Sequence, residues 1–160
     1  MLAKFLKLLS NAVKNFAVYI WGAQGQLVRG LTKEKIYEME LSPEHADRVI
    51  KHIEMKNKYG FINKKTRAYD CSGLICYCLV KCGREEKGFD TNADGLFKRY
   101  PKQKEIAIGC LVHRPRHIGA YIGYGYLIES KGREYGVVIS PFKKEDWDAE
   151  YANPWVNPEV

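Results

Sequence analysis

Apolar positions near the start of the chain recur at helical spacing: Leu2, Phe5, Leu6, Leu9, Val13 and Phe16, interrupted by Lys4, Lys7 and Lys14. A stripe of that period predicts an amphipathic first helix lying on a core. A short apolar stretch ending in glycines follows, YIWGAQGQ from Tyr19. Ser42 and Pro43 then read as the N-cap and first residue of a second helix. Its apolar face would hold Ala46, Val49, Ile50 and Ile53, and Gly60 offers a stop. From Asp70 to Cys82 the chain is apolar on nearly every face, which predicts a central buried helix. Asp70 suits its N-cap and Gly83 its C-terminal cap. Thr91 to Tyr100 predicts another short helix, closed by Pro101. From Glu105 the period changes. Ile106, Ile108 and Val112 suggest one strand, HIGAYIGYGYLIES two strands around a Gly-Tyr-Gly turn, and GVVIS a further strand. Helices first and strands second predict an α+β fold, with an antiparallel C-terminal sheet packed on the helices.

Composition changes this picture little. The chain of 160 residues is 46% hydrophobic and 28% charged, as a globular protein is. It shows no internal repeat, low-complexity run or linker, so residues 1–160 are taken as a single domain. Charge is more informative: a net +7 and a pI near 9.1 favour polyanionic surroundings, either nucleic acid or an anionic cell wall. The basic residues are scattered and no nucleic-acid motif accompanies them, so no nucleic-acid partner is expected. The lysines in the first helix break the apolar core that a signal peptide needs, and no stretch is long enough to span a bilayer. Four of the five cysteines fall between Cys71 and Cys82, with Cys110 the fifth. The odd count and crowding argue against a disulfide framework, and without a C-x-x-C pair no zinc site is expected. Free thiols imply synthesis and keeping in a reducing compartment.

Cys71 carries the candidate chemistry. If Asp70 caps the helix, Cys71 is its first residue, where the helix dipole favours a thiolate over a thiol. Cys76, Cys78 and Cys82 are assigned to the core. Of the four histidines, His45 and His52 fall on the polar second helix and are expected to be solvated. His117 begins a hairpin strand that can fix its ring, whereas His113 lies in the proline-bearing stretch HRPRH. His117 is therefore preferred as base over His113. A base needs an orienting partner, and Glu129 lies in the second hairpin strand. A turn centred on Tyr124 puts Lys131 opposite His117 and Glu129 on the diagonal of the same face. A turn centred on Gly123 puts Glu129 directly opposite, and an even-length loop puts the two on different faces.

The stretch YDCSGLICYCL resembles the signature of the NlpC-type cell-wall cysteine endopeptidases, in which Asp-Cys-Ser-Gly opens the nucleophile helix. HIGAYIGYGYLIES is similar to the family's second block, where His-hydrophobic-Gly starts the base strand. YIWGAQG resembles its Tyr-x-Trp-Gly block and IGCLV its Gly-Asp-Leu-Val strand. The blocks stand in family order, and the resemblance runs from about Val13 to the C-terminus. It implies a papain-like fold and cleavage of peptidoglycan stem peptides, typically beside D-glutamate. It also implies that Cys71 is the nucleophile, His117 the base and Glu129 the third catalytic member. Tyr19 would then lie near the nucleophile and help hold the oxyanion. Asp70 and Ser72 flank the nucleophile and in some members contact the substrate's amino end. Two positions depart from the pattern: Glu129 stands where a polar residue such as His is common, and Cys110 replaces the Asp of Gly-Asp-Leu-Val. Neither metal nor cofactor is implied. The rival within the same fold is an amidase or acyltransferase acting on another amide or ester. Action on the wall without a signal peptide implies a cytoplasmic protein until release by lysis, or delivery by a phage particle or a dedicated export assembly.

Overall fold

A computed structural model describes residues 1–157. The first helix, α1 (Leu2–Lys14), lays Phe5, Leu9 and Ala12 into the core. It stops two residues short of Phe16, because Phe16 turns into the left-handed region at φ 55°. The Phe16 and Ala17 N–H groups then close back on the Val13 and Ala12 carbonyls, a helix-ending pair of bonds. Next come β1 (Gln24–Leu27), a single 3-10 turn, α2 (Lys33–Met39) and α3 (Pro43–Lys58). Thr32 and Ser42 cap the two helices through their hydroxyls. The chain continues through β2 (Arg67–Tyr69), α4 (Cys71–Lys81) and α5 (Ala93–Arg99). It ends with β3 (Lys102–Gln103), β4 (Leu111–Arg114), β5 (His117–Gly123), β6 (Tyr126–Gly132), β7 (Gly136–Pro141) and β8 (Tyr151–Ala152).

The C-terminal strands form one antiparallel sheet in the order β3-β8-β4-β5-β6-β7, and β1 pairs separately with β2. The fold is therefore α+β. Among the described residues, no helix is long and apolar enough to cross a membrane.

Helix α4 occupies the centre. Leu74, Ile75, Cys78 and Leu79 are fully buried. They meet Phe5 and Leu9 of α1 on one side and Leu111, Ile118, Ala120 and Ile128 of the sheet on the other. Each fully buried aliphatic side chain contributes roughly 1.5–3 kcal/mol, so the apolar run that predicts this helix also explains its place. Cys76, Cys78 and Cys82 belong to this core as expected. Cys110 packs on the opposite face of the sheet with Val112, Leu127, Trp147 and Tyr151, which makes it a core residue too. A third cluster, with Val18, Ile20, Val49 and Ala68, lies beneath α2 and α3.

Some expectations from the periodicity need correction. Ile106 and Ile108 are not in a strand, because the chain turns at Ala107–Cys110 through Gly109, at φ 92°, and β4 begins only at Leu111. The short elements α2, β1, β2, β3 and β8 carry too few residues for a period to show. His52 is not solvated: it is 8% exposed. His45 is half-buried, with its ring nitrogen 2.6 Å from the Ser42 hydroxyl.

Gly73 shows why the Asp-Cys-Ser-Gly run ends in glycine. A Cβ there would sit 2.0 Å from the Ala23 carbonyl oxygen and 2.8 Å from Asp70 Oδ1. The first turn of α4 thus rests directly on the segment that follows Tyr19. Replacing Gly73 with Ala should destabilise the protein by about 1–3 kcal/mol through overpacking. Urea unfolding measures this, and an unchanged midpoint would contradict the close approach.

Candidate active site

The geometry starts from Asp70. Its Oδ1 accepts a hydrogen bond from the Gly73 N–H at 2.7 Å and one from the Ser72 hydroxyl at 3.4 Å, and its Oδ2 accepts from the Gly22 N–H at 2.9 Å. One carboxylate therefore caps α4 and pins the Tyr-x-Trp-Gly segment to it. Burial raises the Asp70 carboxyl, and these donors act in the opposite direction.

Cys71 is the first residue of α4 and is half-buried. Its thiol lies 3.7 Å from the carbonyl oxygen of Arg116, the residue immediately before His117. Burial pushes the thiol up to about 11, the Asp70 charge adds to this, and backbone N–H groups of Ser72, Ile118 and Cys71 oppose it.

His117 opens β5, and its Nε2 is 2.7 Å from Glu129 Oε1. The ladder pairs Ala120 with Ile128 and Tyr121 with Leu127, which is the register centred on Tyr124. Glu129 accordingly reaches His117 along the diagonal. Gly119 leaves the space for this, since a Cβ there would lie 3.3 Å from that of Glu129 and 2.9 Å from Leu127 Cδ1. Glu129 is only 4% exposed. Burial raises its carboxyl, but hydrogen bonds from His117 and Ser140 and the charges of His117 and Arg114 outweigh that, and it stays below the usual value. An ionised carboxylate only accepts, so Nε2 carries a proton and Nδ1 is the nitrogen left to act as base. Trp147 stacks on the imidazole at 5.7 Å between centroids, and the Arg114 guanidinium lies 4.5 Å over the Trp147 ring.

Tyr19 joins the same site. Burial raises its phenol strongly, and the charges of Cys71 and Asp70 add to the shift. The Arg133 guanidinium lies 5.3 Å from the Tyr19 ring centroid.

His113 cannot serve as a base here. Its Nδ1 is 2.6 Å from Asp148 and its Nε2 is 2.7 Å from Asp94, so both nitrogens are occupied, and its ring stacks on Phe97. Asp94 also accepts from the Arg116 N–H at 3.2 Å. This cluster braces the turn that carries the Arg116 carbonyl to Cys71. The structure therefore brings Cys71, His117, Glu129, Tyr19, Asp70 and Ser72 into one region. It adds Trp147, Arg116, Asp94, Arg133 and Glu40, which no spacing in the chain links to Cys71.

Residues 56–156 match the model of the NlpC/P60 family. Among solved structures, the chain is similar to the P60 domain of the M. avium subspecies paratuberculosis antigen MAP1204. The two are 16% identical with a TM-score of 0.61, over 98% of this chain and 96% of that one. It is also similar to the peptidoglycan hydrolase RipB of Mycobacterium tuberculosis, at 14% identity and a TM-score of 0.49, over 95% of this chain and 83% of that one. None of the curated proteins matches. The architecture is that of a P60 domain, an α+β papain-like fold.

The depressed Glu129 carboxyl sets a pH dependence. A lowered folded-state value contributes stability that is present above the unfolded value, about 4.3 for Glu, and is lost as pH falls through the folded value. The stability difference between wild type and Glu129→Gln should therefore shrink on acidification below about pH 4.3. Urea unfolding from pH 7 to pH 3 checks this, and a difference independent of pH would count against the His117–Glu129 pair.

Proposed function

The chain belongs to the NlpC/P60 family, and from that premise we propose that it is a peptidoglycan hydrolase that cuts stem-peptide amide bonds through Cys71, His117 and Glu129. One observation carries the reading: the Cys71 thiol, at the start of a capped helix, lies against the backbone just ahead of a histidine whose Nε2 is bonded to a buried glutamate. We treat the whole chain as one such domain, since α1 shares the core of α4 and the sheet.

In the resting site the thiol proton points to the Arg116 carbonyl. Substrate binding displaces that bond, and the proton passes from Sγ to His117 Nδ1. The sulfur then attacks the amide carbonyl carbon, forming a tetrahedral oxyanion. The Cys71 N–H, which has no partner within the helix at this first position, and the Tyr19 hydroxyl hold the oxyanion. His117 returns its proton to the leaving nitrogen, the C–N bond breaks, and a thioester and a free amine result. Water, deprotonated by His117, hydrolyses the thioester and restores the thiol. Glu129 keeps the imidazole in the tautomer this sequence needs and stabilises its cationic form, while Trp147 shields the pair from water. Asp70 and Ser72, at the same helix end, meet the substrate's amino side. Neither metal nor cofactor enters a step.

Purified peptidoglycan treated with the protein should release equal amounts of new amino and carboxyl groups, with the bond identified by mass spectrometry of the fragments. Cys71→Ala should lower that release by roughly a thousandfold or more while retaining its cooperative unfolding. An active Cys71→Ala variant rules the mechanism out. Products that reveal a non-stem-peptide amide or an acyl transfer assign the same site to an amidase or acyltransferase.

A further inference from the structure

Glu40 and Arg133 form a buried pair whose members are separated by most of the chain. Arg133 Nη2 is 2.7 Å from Glu40 Oε1 and its Nε is 3.0 Å from Oε2, a two-pronged contact. The Glu40 side chain is 0% exposed and that of Arg133 13%. Glu40 also accepts from the Trp21 N–H at 3.1 Å and the Leu41 N–H at 3.3 Å, so its two oxygens have four donors. Arg133 lies just past β6.

A pair sequestered in this way is an expensive way to join two loops, because both charges leave water. What it achieves geometrically is plain. The guanidinium is delivered to the face of the Tyr19 ring, 5.3 Å from its centroid, and Glu40 grips the same segment two residues later at Trp21. We propose that Arg133, held by Glu40, is a positioning residue that fixes the Tyr19 ring beside Cys71 and polarises its hydroxyl for donation to the oxyanion. This rests on the hydrolase reading and deepens it at one residue. A cation over the ring face is attracted by the ring's quadrupole and locks its orientation. The same positive charge favours the developing negative charge on the phenol oxygen, so the hydroxyl donates more strongly. Consistently, Arg133 is the charge that acts to lower the Tyr19 phenol, against burial and the charges of Cys71, Asp70 and Glu40.

A double-mutant cycle tests the proposal. Wild type, Arg133→Met, Tyr19→Phe and the combined variant are assayed on soluble stem peptides prepared from purified peptidoglycan, with kcat and KM determined separately. Arg133→Met should lower kcat by about three- to thirtyfold, the range of a desolvated cation–ring contact, with KM little changed. In the Tyr19→Phe background the same substitution should cost less than about twofold, since contacting residues are not additive. An equal loss in both backgrounds overturns the proposal, because a merely structural pair would act regardless of the hydroxyl. Arg133→Met leaves Glu40 buried without its partner, so the Glu40→Gln/Arg133→Met pair, which leaves no lone charge, is carried through the same cycle.

A second measurement needs no turnover. In protein labelled with 3-fluorotyrosine, the Tyr19 fluorine resonance, identified by its loss in Tyr19→Phe, should move in Arg133→Met and return toward its wild-type position in Arg133→Lys. A resonance that stays in place overturns the pairing. If wild type releases nothing from stem peptides, the hydrolase reading fails on its own, and the fluorine resonance still decides whether Arg133 acts on Tyr19.

Discussion

The Asp70 carboxylate is the contact on which the remainder of the site depends. By accepting from Gly73 it begins α4 at Cys71, and by accepting from Gly22 it brings the Tyr19 segment to the same helix end. Cys71 and the Tyr19 segment are thereby placed by one side chain. The requirement is strict because the first turn of α4 and the Ala23 carbonyl are already in close contact at Gly73. His117 arrives from the other half of the chain. The apolar face of α4 packs on Ile118, Ala120 and Ile128 of the sheet, and that packing sets the start of β5 against the thiol. A core built from ordinary aliphatic burial therefore sets the thiol against the start of β5.

Two buried glutamates perform similar tasks. Glu129 holds the imidazole and Glu40 holds the guanidinium that covers Tyr19. In each case a carboxylate that is costly to bury is held by a cationic or imidazole partner. The His113 cluster is a third brace: Asp94 binds both the His113 ring and the Arg116 N–H, and so steadies the turn ahead of His117. These contacts all oppose motion in the site.

Much of this was legible in the chain. The all-round apolar segment from Asp70 to Cys82 marked the central helix, because a helix packed on several sides needs no polar face. The caps at Asp70 and Gly83 marked its ends. The alternation in HIGAYIGYGYLIES marked the hairpin and limited the partners of His117, though three turn geometries fitted and only the ladder separates them. Other features left no local trace. Glu40 and Arg133 meet through the fold, and neither is distinguished in sequence from a surface charge. His52 lies on a helix rich in polar residues, yet it is buried where β6 and β7 connect. The short strands β3 and β8 exist only as pairing partners.

The central claim is a covalent acyl-enzyme on Cys71, and partitioning by hydroxylamine tests it most directly. Stem peptides are cleaved in increasing hydroxylamine, and the acyl half is examined by mass spectrometry. A thioester intermediate predicts that the acyl half leaves increasingly as the hydroxamate, in a ratio to carboxylate set by the nucleophile concentration. Exclusive formation of the carboxylate at every hydroxylamine concentration, with amine release undiminished, would mean that water attacks the amide directly and that Cys71 forms no bond to the substrate.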